Sequence, residues 1–473
     1  MSSVAQVGVG ALLVFVVLPG VIILVLTLIR CQQYPEKSFK NNLFNVLLAP
    51  LRFLRLGPYK GRISIDKAMK YAVKKSKLTD FGDTRFIESY KAMENSAVHQ
   101  KLRLSNLGYI SHSLEMNETM VRRLKMLDYL KKHEEILKIP VREPVFVVGL
   151  PRTGTTFLHR LLSLDPAVRA PYLWELLAFV PTKEGDRDMN ADNNKRANGV
   201  RKLLQLRRDM GDTAIDHIHE TSADLPEECV WAMSDELPVH MSFLYTIYCD
   251  YENFTKNVTA DHCNRAYDYY KKVLQLLSYC QGEAGAANKS KDPRRWMLKS
   301  PMHMFMIPQI AHTFPDAKII LTHRHPVSAV PSMCSLVKSL HQLYYENESR
   351  DDHLIGKEIA RISGDLLANC NKQIEEANFQ HVDSVYEELI KDPIASVRKI
   401  YAKFNWPFTV EYEKILREFL AEDAKKRESQ KKNRRADKLH TYTPEEFGLT
   451  AEELSSGLFK EYINRYNIPM SRG

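Results

Sequence analysis

The sequence predicts an α/β fold, a P-loop-like parallel sheet flanked by helices, with an N-terminal transmembrane helix ahead of it. Three observations predict this. Short apolar runs of strand length (PVFVVG from Pro144, Trp296 to Leu298, Ala317 to Thr322) alternate with helical patterns such as Phe157 to Leu164 and Arg265 to Tyr279. Runs of this texture belong to strands buried on both faces, and helices between them imply parallel crossovers. The first run ends in a glycine-bounded turn, Gly149 to Thr156, that leads straight into a helix. Finally, Val7 to Ile29 holds 23 residues without a charge, about 35 Å as a helix and enough to cross a bilayer.

The chain is long enough, at 473 residues, for a sizeable core, and its 44% hydrophobic and 26% charged content is that of ordinary globular protein. Seven scattered cysteines, odd in number and without a CxxC pair, argue against a disulfide scaffold or a structural zinc. The net charge of +9 is concentrated at two ends. Arg30 to Arg62 carries +6, Lys425 to Lys438 another +6, and the rest is slightly acidic. A nucleic-acid protein more often spreads basic residues along one domain face, so no nucleic-acid partner is expected.

In chain order the sequence divides into a tail (1–6), a transmembrane helix (7–29), a basic juxtamembrane and helical region (30–140), a catalytic domain (141–466) and a second tail (467–473). Pro19 and Gly20 interrupt the span, which a membrane helix tolerates. A cleaved signal peptide is the alternative, but the segment lacks a basic start and a small-x-small cleavage site. Phe44 to Leu56, bulky apolar residues with Arg52 and Arg55, reads either as a helix in the headgroup plane or as a core helix. The expected setting is a single-pass protein of the endoplasmic reticulum or Golgi, in contact with membrane lipid. Arg30, Lys37 and Lys40 after the span favour a cytoplasmic domain. Five glycosylation sequons (Asn117, Asn253, Asn257, Asn288, Asn347) favour a lumenal one, and both orientations stay open. Residues 63–140 are expected to be mainly helical, and Gly185 to Gly211 and Glu283 to Asp292 to be polar surface loops.

The turn Gly149 to Thr156 has the outline of a Walker A loop with Thr155 where the lysine belongs. Such a turn aims backbone N–H groups and a helix N-terminus at an anion, and Thr153, Thr155 and Thr156 add hydroxyls. Kinase or ATPase chemistry without that lysine lacks a main charge stabiliser, though Arg152 can supply positive charge nearby.

PRTGTT after a hydrophobic strand resembles the 5′-phosphosulfate loop of sulfotransferases that use 3′-phosphoadenosine 5′-phosphosulfate (PAPS). The resemblance continues at Arg324 and Ser332, whose spacing is similar to that of the family's 3′-phosphate site, and at Trp296 to His303, Asp165 to Glu175 and His440 to Leu449. It covers about residues 141–466 and points to the bacterial-type and tyrosyl-protein-type branch. Two departures are His325, where the family usually has Asp, and Pro331, which is expected to distort the helix carrying Ser332.

The resemblance implies PAPS as sulfate donor, no metal, and transfer of a sulfuryl group to a hydroxyl or amine of a lipid, glycan or other small acceptor. It implies that Arg152, Thr153, Gly154, Thr155 and Thr156 cradle the phosphosulfate, that Arg324 and Ser332 hold the 3′-phosphate, and that Phe157 contacts adenine or is plain core. Lys299 would stabilise the departing charge. Glu175 or His303 would be the base, Glu175 matching the tyrosyl-protein-type base and His303 only loosely matching a cytosolic one. His217, His219, Glu227 and Glu228 form a second polar cluster that reads as the acceptor side, a metal site or a capped helix start. The basic run from Lys425 either closes over the nucleotide or is a solvated face. The competing functions are a P-loop kinase and a non-catalytic, membrane-anchored nucleotide-binding scaffold.

Overall fold

The structure, a computed structural model, describes residues 18–35, 37–98, 104–183, 188–209, 220–238, 258–280, 294–346, 351–433 and 442–470. Within them five strands, β1 (Val145–Val148), β2 (Val168–Arg169), β3 (Arg295–Lys299), β4 (Lys318–His323) and β5 (Gln380–Val385), form one sheet in the order β2-β3-β1-β4-β5. Every pairing is parallel, and Val147 at the end of β1 lies opposite Lys299 of β3 and Ile320 of β4.

Alternation along β1 feeds two cores. Phe146 and Val148 face the cluster that includes Tyr267 and Tyr270 of the helix Ala260–Tyr279. Val145 and Val147 face Leu158 and Leu161 of the helix Thr155–Leu162 and Val397 of the helix Pro393–Lys403. Both faces are covered, so the strand needs apolar residues at every position, which is why its sequence reads as an unbroken run. β5 lies at the sheet edge with alternating burial, and QHVDSV therefore gives no such run.

Residues 63–140 are helical over Ile65–Ser76, Phe86–Val98 and Asn106–Lys132. The expected loop at 185–211 is largely a helix, Met189–Asp209. Its inner side, Ala197, Val200 and Leu204, packs on Leu173 and Trp174. Three apolar contacts in a run rich in Asn, Arg and Lys are too sparse to register as a helical period. Glu283 to Asp292 lies outside the described residues. The sequon at Asn117 sits within the helix Asn106–Lys132 with Thr119 buried, not on the surface loop that glycosylation favours; the other four lie outside the described residues.

The N-terminal expectation is corrected in part. Among the described residues no helix is long and apolar enough to cross a membrane. The helix Leu18–Gln33 covers the second half of the uncharged run, and residues 7–17 lie outside the described residues. It packs against a second helix, Phe39–Phe53, to form a hairpin docked on the domain. Arg30 pairs with Glu346 at 2.7 Å, and Lys37 Nζ donates to the Tyr345 carbonyl at 2.6 Å.

Candidate active site

Three adjacent strands deliver the charged residues of the site to one edge of the sheet. β1 runs into the Gly149 turn, β3 ends at Lys299, and β4 ends at His323, one residue before Arg324. The carboxyl edge of an open parallel sheet is where such folds bind ligands.

The turn is tightly closed. A Cβ on Gly149 would lie 2.1 Å from Thr322 Oγ1, and one on Gly154 2.8 Å from the Tyr386 ring, so neither position has room for a side chain. Arg152 and Gly154 both adopt left-handed backbone, φ +71° and +89°. For arginine that conformation costs about 1–2 kcal/mol. Thr153 Oγ1 closes the turn from inside, donating to the Leu150 carbonyl at 2.7 Å and sitting 2.6 Å from Thr322 Oγ1. Thr155 is buried at the start of the helix Thr155–Leu162, and Thr156 and Phe157 are half-buried beside it. Phe157 packs on the core and lies under Arg427, 5.7 Å from its ring, so the basic helix Val410–Asn433 reaches the turn. Residues 434–441 of the basic run and tail, including His440, lie outside the described residues.

The turn meets the segment that carries Arg324 and Ser332. Arg152 Nε donates to Ser332 Oγ at 3.1 Å, and Arg324 Nη1 donates to the Arg152 carbonyl at 3.0 Å. Arg324 stacks 4.2 Å over the Tyr386 ring, and its buried Nε has no partner among the described residues. Burial is the main cause that lowers the Arg152 pKa, with Arg324 adding to it. Two guanidinium groups so close, one with an orphan buried N–H, fit an anionic ligand. Pro331 does not break the helix that carries Ser332, which runs unbroken from Pro326 to Tyr344. His325 caps its start, Nδ1 accepting from the Val327 N–H at 3.3 Å, a task an aspartate would also perform.

Lys299 is fully buried and paired with Glu228 at 2.8 Å and Glu227 at 3.8 Å. The chain at 226–229 is held on both sides: Glu227 N–H donates to the Pro171 carbonyl and Cys229 N–H to that of Lys299. The acidic pair thus precedes the short helix Val230–Met233 but turns its carboxylates to the lysine. His217 and His219 lie outside the described residues, and among the described residues no group of His, Cys, Asp and Glu is arranged to hold a metal.

Glu175 is 3% exposed. Oε1 accepts from Arg169 at 2.9 Å, and Oε2 accepts from the Tyr172 N–H at 2.9 Å, closing a capping box on Leu173–Leu177. Arg169 lies 4.3 Å over the Trp296 ring. His303 is buried against Phe146 with Nδ1 2.6 Å from the Tyr267 hydroxyl. Burial, then Lys299, lowers its pKa to about 3, and the same two causes bring buried His159 to about 3. Sequence reasoning missed Tyr386, which supports both Gly154 and Arg324 from the end of β5. Its only signal is a tyrosine at a strand-to-helix junction.

This edge carries a glycine turn with two arginines and a lysine at three strand ends, the layout of a P-loop-like fold. The sulfotransferase family model matches residues 144–410, more than half of the chain, and the protein belongs to that family. Omega-hydroxy-beta-dihydromenaquinone-9 sulfotransferase Stf3 from Mycobacterium bovis is 27% identical over 296 residues, 59% of this chain and 67% of its own length; the Mycobacterium tuberculosis protein gives the same values. The fold is similar to that of the sulfotransferase STF9 from Mycobacterium avium, with TM-score 0.68 and 24% identity over 86% of this chain and 98% of the other. STF1 from Mycobacterium tuberculosis H37Rv gives TM-score 0.63 at 24% identity, over 84% and 98%.

Proposed function

We propose that this sulfotransferase takes its sulfuryl group from PAPS and delivers it by in-line displacement to the hydroxyl, or amine, of a membrane-borne amphipathic acceptor. The observation that carries the donor assignment is the contact between the turn and the Arg324/Ser332 element. A doubly phosphorylated nucleotide needs two anion sites on one edge, and Arg152 with Thr153 to Thr156 would hold the 5′-phosphosulfate beside Arg324 and Ser332 on the 3′-phosphate. Lys299 would offset negative charge on the departing phosphate oxygen. Phe157, beneath Arg427, is suited to the adenine.

Two carboxylates compete for the acceptor proton. Glu175 has the family resemblance in its favour. Glu228 has the geometry: its side chain is 24% exposed beside Lys299, whereas both Glu175 oxygens are engaged. His303 is the weaker candidate, since a pKa near 3 makes it a poor proton acceptor at neutral pH. Glu175→Gln and Glu228→Gln distinguish them, because loss of the true base lowers kcat while donor binding persists.

The acceptor class rests on two supports. The Stf3 relatives are named for a hydroxylated menaquinone, a lipid alcohol, and the uncharged run 7–29 fits a single-pass anchor in an endoplasmic reticulum or Golgi membrane. A P-loop kinase fits less well, because Thr155 stands where its lysine is needed. A non-catalytic scaffold would have no use for a fully buried lysine beside two carboxylates. Sulfate transfer from radiolabelled PAPS to a lipid extract, together with calorimetric binding of adenosine 3′,5′-bisphosphate, tests the reading. Transfer abolished by Arg152→Ala supports it; nucleotide binding without transfer to any acceptor favours the scaffold.

A further inference from the structure

The helix Phe39–Phe53 is folded inside out. Its buried side is polar: Asn41, Asn42 and Asn45 are each 2% exposed or less. Asn45 Oδ1 accepts from the Leu107 N–H at 3.0 Å while its Nδ2 donates to the Asn41 carbonyl at 2.9 Å. Asn42 Nδ2 donates to the carbonyls of Tyr34 and Lys37. Arg52 Nη1 reaches the Leu104 carbonyl at 2.8 Å, so side-chain hydrogen bonds tie the helix to the start of the helix Asn106–Lys132. The side turned away from the domain carries Phe39, Leu47 and Leu51, and continues into Phe53, Leu54 and Leu56, all exposed. Phe53 is 86% exposed.

An aqueous helix places its apolar stripe toward the core and its amides toward water. Fully buried amides with exposed apolar residues on the other side suit an outer medium that is itself apolar, and an exposed patch of this kind marks a membrane or protein contact. Two further features choose between these. No acidic residue occurs from Lys37 to Ile65, while Lys40, Arg55, Lys60 and Arg62 are exposed beside the apolar residues. The partner helix Leu18–Gln33, packed against it, presents Val21, Ile22, Leu24, Val25, Leu26 and Leu28 half-exposed, which adds to the apolar surface of the hairpin. Apolar side chains rimmed by cations match the acyl and headgroup layers of an anionic bilayer.

We propose that residues 39–56 form an interfacial platform that lies in the headgroup layer of an anionic membrane and fixes the orientation of the catalytic domain above it. This goes beyond the single-pass anchor at 7–29, because a flexible tether after the anchor would leave residues 39–56 in water. The domain side of the platform connects to the site through one rod. The helix Pro326–Tyr344 carries Ser332 near its start and ends beside the hairpin, about 18 Å farther along at 1.5 Å per residue.

The test uses the full-length protein in vesicles of phosphatidylcholine and phosphatidylserine with brominated acyl chains. A tryptophan is introduced by Phe53→Trp or, as a reference, by Val410→Trp at a position 88% exposed on the domain. Both sites are open, so neither change disturbs packing. The four native tryptophans lie at 174, 231, 296 and 406 in the domain and give a constant background. Expected is a blue-shifted emission for Phe53→Trp that bromine quenches at least twofold more than that of Val410→Trp, with less quenching when phosphatidylserine is omitted. Co-flotation of protein with vesicles reports the anchor separately. Co-flotation with no excess quenching at position 53 overturns the platform and leaves the anchor standing. A blue shift without quenching overturns it in favour of a second copy or another protein on this face. Equal quenching without phosphatidylserine overturns the anionic assignment.

Discussion

The carboxyl edge of the sheet and the N-terminal hairpin solve opposite problems with the same kinds of groups. At the edge a charged side chain is buried with spare hydrogen-bonding capacity: Arg324 Nε has no partner among the described residues. In the hairpin both ends of the Asn45 amide meet backbone partners, and it is the apolar residues that face outward. Unspent polar capacity inside a fold marks the place for a polar ligand, and unspent apolar surface outside it marks the place for an apolar medium.

Substitutions at the two regions should therefore fail in different ways. The largest effect is expected from Arg152→Ala, which removes both a cradle charge and the contact to Ser332. Transfer should fall by about two to three orders of magnitude or more, with nucleotide affinity falling in calorimetry and unfolding temperature little changed. Retained nucleotide affinity would break the assignment of the turn as the donor site. Gly149→Ala should harm both properties, since its Cβ meets Thr322 Oγ1 at 2.1 Å. A loss of about 1–3 kcal/mol by chemical denaturation is expected, together with loss of nucleotide binding.

At the hairpin, Asn45→Leu strands the Leu107 N–H and should cost about 1–3 kcal/mol in detergent while leaving nucleotide affinity intact. An affinity change there would mean that the two regions are coupled. Acid should act on the sheet side. His159 and His303 have pKa values lowered from 6.5 to about 3, so the unfolded chain binds more protons over that interval. Their contribution is complete above about pH 6.5 and is lost as pH falls toward 3. His303→Gln should flatten the decline in unfolding midpoint over that range. Smallest of all is Leu51→Gln on the exposed face, expected to change stability by no more than about 0.5 kcal/mol in detergent.

Legibility followed the number of constraints at each residue. The strand β1 and the turn after it stood out because a doubly covered strand admits only apolar residues and the turn admits only glycine at 149 and 154. The edge strand β5 and the helix Met189–Asp209 were not legible, because each buries only one narrow side. Tyr386 was invisible for a related reason: its role comes from packing against Gly154 and Arg324, which are distant in sequence.

The sequence by itself determined the parallel sheet, the glycine-bounded turn and the basic, apolar N-terminal region, since all three follow from local composition and spacing. Only the tertiary structure decided that Arg152 meets Ser332, that Glu228 rather than solvent holds Lys299, and that Glu175 is engaged on both oxygens. It also decided which face of the helix Phe39–Phe53 is inside. Local pattern gives a segment's period, but the surface a period is turned toward is set by what the rest of the chain offers to bind it.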